Sequence, residues 1–472
     1  MTKARRIASN TAALAVSKAA TLGLSFVVWV HLARTLTAEG VGVLTFGTAL
    51  LAYFLLLITL GIDAVTVREI AREHGRTADL VPTVLGIRLT LLLLGGGVYL
   101  ALVLGVPRFA PDRPVLLVLG GMLVVRAVQL DWVYQGIEEM GAIAARDVAA
   151  SVLAAAAAVA FVRGPDDVLP AAAAIVAGPL VSNLSLFAAY TRRFGLAVPR
   201  FDRARWRAVL VPALPLMASV FLSEIYYSLD KVMLEALRTT AEVGQYGVAY
   251  KVLSLAIAPA AVLYGAFYPA LSSALGDGAK MRAVGEAYAR VQFGIGLSVA
   301  AGGAVVAPAL VPAVFGAEYA AAGTALQLLF LNAGVMYVAM VYGVPLMAWD
   351  RQGAYFRAIA GGAAANVALN VALIRPLGIE GAALATLLSE AIVLVGLARY
   401  YRQSTEGLFA PLVARAAVAA LAGAALPAAA LLWAGVPVLA VVPILVATSL
   451  AALWRSRLLT PATLKSLLRR DP

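Results

Sequence analysis

The chain has 472 residues, 62% of them hydrophobic and only 13% charged, against roughly 25% charged in soluble proteins, and that excludes an ordinary soluble enzyme. It has no cysteine and two histidines, His31 and His74, which excludes disulfides, thiolate metal sites, cysteine nucleophiles and a multi-histidine centre; no metal or other cofactor is expected. The net charge of +12 comes from 37 Lys and Arg against 25 Asp and Glu, and these basic residues sit in short gaps between long apolar runs, a pattern of membrane topology and not of nucleic-acid binding.

A bilayer-crossing helix needs roughly 20 mostly apolar residues, and about fourteen such runs follow one another. The first six are Ser9–Ala33, Val41–Asp63, Leu80–Gly105, Pro114–Gly136, Ala142–Val162 and Val168–Tyr190. After a basic gap come Ala208–Ala236, Val243–Leu271, Ala287–Val314, Ala321–Ala348, Ala354–Ile374 and Ile379–Tyr400. Phe409–Trp433 and Val438–Trp454 close the series. The first run is too long for the apolar region of a signal peptide and reads as an uncleaved span. With the N-terminus inside, twenty-five Lys and Arg fall in inside segments and six outside, so both termini are expected in the cytoplasm.

The predicted fold is all-α and polytopic, with about 14 transmembrane helices. Thr37-Ala38-Glu39 with Val41-Gly42 recurs as Thr240-Ala241-Glu242 with Val243-Gly244, and Val168–Leu180 aligns with Ile379–Ala391. This predicts two pseudo-repeated six-helix lobes around a central cavity plus two C-terminal helices, an arrangement suited to alternating access. The expected division is an N-terminal lobe at 1–193, a basic cytoplasmic linker at 194–207, a C-terminal lobe at 208–403, and two extra helices with a basic tail at 404–472.

Ionisable side chains inside spans are expensive and are the functional candidates. They are Lys18, Arg88, Arg126, Asp131, Glu224, Asp230, Lys231, Glu235, Lys251, Glu390 and Arg415. Lys251, Arg415, Asp63 and Glu235 lie near span ends and can reach the headgroups. In the seventh run, Glu224, Tyr227, Ser228, Lys231 and Glu235 fall within one helical face of about 100°, with Asp230 to one side. Two readings stay open for that stripe: a cavity lining, or an internal network in which Glu235 neutralises Lys231 at i+4. Lys18 shares a face with Thr21, Ser25 and Trp29; it faces a lumen, or pairs with Asp131 or Glu390 from another helix. Arg126 and Asp131 are about 140° apart on an unbroken helix, which leaves Arg88 as a partner for Asp131. Asp166-Asp167 lacks a third metal ligand, and no phosphate-binding loop of the ATPase kind is present.

Three stretches carry a resemblance: Asn10…Ala33-Arg34-Thr35-Leu36…Gly42 with Phe46–Gly61 and Arg68-Glu69-Ile70-Ala71; Asp230-Lys231…Val243-Gly244-Gln245-Tyr246…Ala249-Tyr250-Lys251; and Asn366…Asn370…Gly378-Ile379-Glu380-Gly381-Ala382-Ala383 with Leu388-Ser389-Glu390. Their order and spacing resemble the polysaccharide flippases (Wzx-like, polysaccharide transporter family) of the multidrug/oligosaccharidyl-lipid/polysaccharide exporter superfamily. The resemblance implies no enzyme but a flippase of the bacterial inner membrane. It would carry undecaprenyl-diphosphate-linked oligosaccharide from the cytoplasmic to the outer leaflet for cell-surface polysaccharide synthesis.

On that expectation Lys18, Lys231, Lys251, Arg88 and Arg126 replace the water around the diphosphate. Tyr227, Tyr246 and Tyr250 contact sugar. Glu224 and Asp230 couple transport to Na+ or H+. The expected partners are the lipid-linked oligosaccharide, membrane lipid, and a glycan polymerase or glycosyltransferase. The alternatives are an ion-coupled multidrug or cation antiporter, a lipid II flippase, a membrane polysaccharide polymerase or ligase, and a non-transporting scaffold of a glycan-synthesis complex.

Overall fold

The computed structural model describes residues 3–403 and 409–460, with side chains from residue 16 onward except at 74, 142, 215–216, 218–219, 222–223 and 225–227. Among the described residues the regular structure is entirely helical. Twelve helical segments are long and apolar enough to cross a bilayer, which makes this a multi-pass membrane protein. Two of the fourteen expected runs are not counted separately among the twelve. One is a 35-residue helix, several of whose side chains lie outside the described residues. The other is half of a 51-residue helix divided by a backbone break.

The helices cluster into two compact units, residues 1–232 and 233–472. The first holds α1 (Lys3–Thr35), α2 (Ala38–Thr59), α3 (Ile62–Arg72), α4 (Thr77–Gly105), α5 (Arg113–Ala127), α6 (Asp131–Gly136), α7 (Met140–Phe161), α8 (Val168–Phe194) and most of α9 (Arg203–Leu237). Within it α1 packs on α7, α7 on α8, α5 on α2 and α8, and α3 on α6. A core of Ile62, Val84, Ile87, Trp132, Val133, Leu186 and Tyr190 joins α3, α4, α6 and α8.

Two of the expected spans are broken, and both breaks matter. The second ends at Leu60, whose φ of 43° is left-handed, and α3 sets off in a new direction from Ile62. Asp63 therefore sits in the first turn of a short amphipathic helix and not at the end of a long one. The fourth expected span divides between Ala127 and Asp131, so the 140° separation drawn for Arg126 and Asp131 on one continuous helix does not apply.

The second unit holds α10 (Thr240–Ser273), α11 (Gly278–Phe315), α12 (Ala322–Ala348), α13 (Gln352–Arg402), α14 (Ala410–Ala420), α15 (Leu426–Trp433) and α16 (Val438–Arg455). Here α12 packs on α10, α11 and α13, while α14 and α16 pack on α11. Thr239 caps α10 by accepting from the Glu242 amide at 3.3 Å. α13 carries both the eleventh and twelfth expected spans, divided at Gly378, where φ is 60° and ψ −131°.

Candidate functional site

The first unit contains a cavity of about 330 Å³ walled by α2, α5, α8 and α9. Ala52, Leu55, Leu56, Met122 and Val125 make most of the wall apolar, and Thr59, Arg126, Gln129, Asn183 and Glu224 are the polar residues in it. An apolar wall with a few placed polar groups is the usual character of a ligand pocket.

Arg126 is held from behind. Its guanidinium lies 3.6 Å from Asp63 and donates to the Gln129 side chain. Gln129 in turn donates to Asp131, so the break between α5 and α6 brings Arg126 and Asp131 onto one amide. A guanidinium has five N–H donors, and Arg126 stays 36% exposed on the cavity side of this network. It is fixed in direction and still able to bind an anion.

Arg88 belongs to the same network but in another role. It is 1% exposed, pairs with Asp63, donates to the Gln129 carbonyl at 2.8 Å, and lies 6.0 Å from the centre of the Trp132 ring. Its buried Nε has no hydrogen-bond partner among the described residues. This geometry ties α3, α4 and α6 together and leaves no open face for a ligand. The direct carboxylate partner is Asp63, where Asp131 was expected.

Asn183 completes the cavity on the α8 side. Its Nδ2 donates to the Pro179 carbonyl at 2.9 Å, while its Oδ1 is buried with no partner among the described residues. Glu224, on α9, accepts from Ser228. The Tyr53 hydroxyl of α2 is buried without a partner among the described residues and lies within electrostatic range of Asp230 and Glu224.

The other expected residues fall in several places. Asp230 is buried and Lys231 nearly so, and Lys231 Nζ lies 3.3 Å from Asp230. The adjacent carboxylate is thus a partner of Lys231, and Glu235 accepts from Thr240 at 3.2 Å. Lys18 is exposed on α1, within electrostatic range of Asp147 on α7. Asp147 also lies 3.5 Å from the Ser182 hydroxyl. In the second unit Tyr246 is fully buried and Tyr250 half-buried, their rings 4.9 Å apart, with Lys251 directly after Tyr250. The Tyr227 side chain and the basic tail at 469–470 lie outside the described residues.

Asn183, Tyr53, Asp147 and Asp63 escaped the sequence reading as site residues. The only local signal for Asn183 is its i+4 spacing from Pro179.

Residues 7–275 match the model of a family described as polysaccharide biosynthesis protein. No curated protein matches the chain. Among solved structures, the fold is similar to a lipid II flippase MurJ in an inward closed conformation, with TM-score 0.72 and 12% identity over 93% of this chain and 97% of that one. It is also similar to an inward-facing multidrug resistance MATE transporter of the MOP superfamily, with TM-score 0.65 and 18% identity over 82% and 94%. A MOP superfamily transporter from Pyrococcus furiosus, whose binding pocket is described as reversed in polarity, gives TM-score 0.54 and 17% identity over 84% and 96%.

Proposed function

The chain belongs to the polysaccharide biosynthesis protein family, and on that premise we propose that it is a flippase and not an enzyme. It moves undecaprenyl-diphosphate-linked oligosaccharide from the cytoplasmic to the outer leaflet of a bacterial inner membrane, with both termini in the cytoplasm. The observation that carries this reading is the cavity of the first unit. There an oriented Arg126 guanidinium stands in an apolar-walled space that Gln129 and Asn183 also line.

A diphosphate-linked sugar needs both groups: a cation for the phosphates and hydrogen bonds for the hydroxyls. The cavity, at about 330 Å³, suits the phosphate-proximal part of the headgroup, while the prenyl tail stays in lipid. Lys18, Lys231 and Lys251 extend the cationic path, Tyr227, Tyr246 and Tyr250 meet the glycan, and Glu224 with Asp230 couples the cycle to Na+ or H+. Transport follows alternating access.

Proteoliposomes loaded with undecaprenyl-diphosphate oligosaccharide test this by reading glycan access from one side under an imposed H+ or Na+ gradient. Wild type exposes the glycan. Arg126→Gln slows exposure roughly tenfold or more, as loss of a hydrogen bond to a charged group implies. A wild type that exposes no glycan but extrudes an organic cation would overturn the flippase in favour of the antiporter.

A further inference from the structure

A second cavity in the first unit, about 270 Å³, opens between α3, α4 and the start of α9. Arg68, Arg76 and Arg205 line it with Glu69, Asp79 and Thr83. None of these residues belongs to the cavity around Arg126.

Cation outweighs carboxylate here. Glu69 meets Arg76, Arg72 at 3.4 Å and Arg68 at 4.0 Å. Asp79 meets Arg200 at 2.8 Å and Arg205 at 3.1 Å, and Arg205 also reaches Asp202 at 3.4 Å. Five arginines thus share three carboxylates, and each arginine is about half exposed or more. Their guanidiniums are gathered, oriented and accessible, an arrangement suited to a multiply charged phosphate.

An apolar segment lies beside the cavity, joined to it by the Arg200–Asp79 pair, and it is firmly placed. Residues 195–202 connect α8 to α9 and run back across α4. The Arg200 amide donates to the Pro82 carbonyl at 2.9 Å, and Trp206 Nε1 donates to the Arg200 carbonyl at 3.0 Å. The Arg200 carbonyl sits where a Cβ on residue 86 would be, so Gly86 permits the approach. Ala197 turns into the core, while Leu196, Val198 and Phe201 are exposed. Exposed apolar side chains beside the ends of membrane helices, next to a guanidinium pocket, match a lipid in two parts: acyl chain and head.

We propose that this cavity binds a membrane lipid bearing a phosphomonoester or diphosphate headgroup, with the head among Arg68, Arg76 and Arg205 and the hydrocarbon against Leu196, Val198 and Phe201. The site stands independently of transport. A doubly charged head is preferred over a phosphodiester because it offers more terminal oxygens and more charge to several guanidiniums at once.

Native mass spectrometry of the full chain in detergent, titrated with dioleoyl phosphatidate, dioleoyl phosphatidylglycerol or inorganic pyrophosphate, tests the assignment. Phosphatidate is retained at least fivefold better than phosphatidylglycerol. Arg76→Gln with Arg205→Gln removes that preference, whereas the exposed pair Arg402→Gln with Arg455→Gln leaves it intact. Phe201→Ser weakens phosphatidate but not pyrophosphate. Arg76→Lys keeps the charge, protects against a folding failure of the double variant, and still lowers retention. Equal retention of the two lipids, equal loss in the Arg402/Arg455 control, or no effect of Phe201→Ser would each overturn the site as a lipid site.

Discussion

Arg88 and Arg126 share Asp63 and Gln129, yet burial gives them opposite consequences. Arg88 is buried, so replacing it removes the charge-assisted hydrogen bonds to Asp63 and the Gln129 carbonyl, about 1.5–3 kcal/mol each, and its packing beside Trp132. Arg88→Leu is therefore expected to lower the thermal midpoint in detergent sharply. Arg126→Gln, partly solvated, is expected to change stability by under about 1 kcal/mol while slowing glycan exposure. Equal destabilisation by the two would remove the distinction between a structural and a ligand-facing arginine. Composition and span counting identified both arginines as candidates, but not their division of labour. That division depends on Asp63, which the left-handed Leu60 redirects into the bundle. Asp112 offers a second residue-scale test, at the loop before α5. Burial raises its carboxyl pKa above the ordinary carboxylate value, and the charge of Glu39 adds to this. The folded state then holds the proton more tightly than the unfolded state, so stability falls as pH rises from the ordinary carboxylate pKa through the raised one. Asp112→Asn removes that loss. It is expected to raise the thermal midpoint at pH 7 and to have no effect at a pH below the ordinary carboxylate range.

At the scale of the helix, the apolar runs located most elements within a few residues, because the bilayer demands both length and apolarity together. Breaks inside spans were harder to read, since a helix can bend wherever neighbouring groups satisfy the freed carbonyls. Gly378 is the clearest case. Pro376 and Gly378 between Ile374 and Ile379 do separate two runs in the sequence, but α13 passes through them with a single left-handed residue. Arg238 closes the outside of that break, donating to the Arg375 carbonyl at 3.2 Å and to Glu242 at 2.9 Å. A Cβ at residue 378 would meet Glu242 Oε2 at 2.8 Å and Arg238 Nη2 at 3.2 Å. Gly378→Ala thus combines a left-handed backbone with a displaced ion pair, an expected cost of about 1–3 kcal/mol. Thermal unfolding in detergent measures it, and a midpoint equal to wild type would show that α13 can straighten. The division of the fourth expected span lacks even that signal. Val128, Gln129 and Leu130 contain no proline or glycine, and the turn there is held by Gln129 contacts to Arg88, Arg126 and Trp132.

For the whole molecule, the decisive question is whether α9 crosses the membrane. It is long enough, at 35 residues and 1.5 Å per residue. It is not among the twelve segments found among the described residues, and it carries Glu224, Asp230 and Lys231. Charge pairing explains how such a helix is tolerated: Lys231 meets Asp230, and Glu224 accepts from Ser228 while lining a cavity instead of lipid. The Lys and Arg asymmetry predicts the same crossing, because only an even span count puts the basic stretches after α8 and after α16 on one side. The chain has no cysteine, so single-cysteine variants can be labelled without background. In intact cells a membrane-impermeant maleimide is expected to label Gly164→Cys and Thr239→Cys. Ala204→Cys and Ser456→Cys are expected to react only after permeabilisation. Ala204→Cys and Thr239→Cys bracket α9, so labelling of both from the same side would mean that it does not cross. The charged stripe would then face water, the span count would become odd, and the proposed route of a lipid-linked glycan past Glu224 would lose its membrane depth.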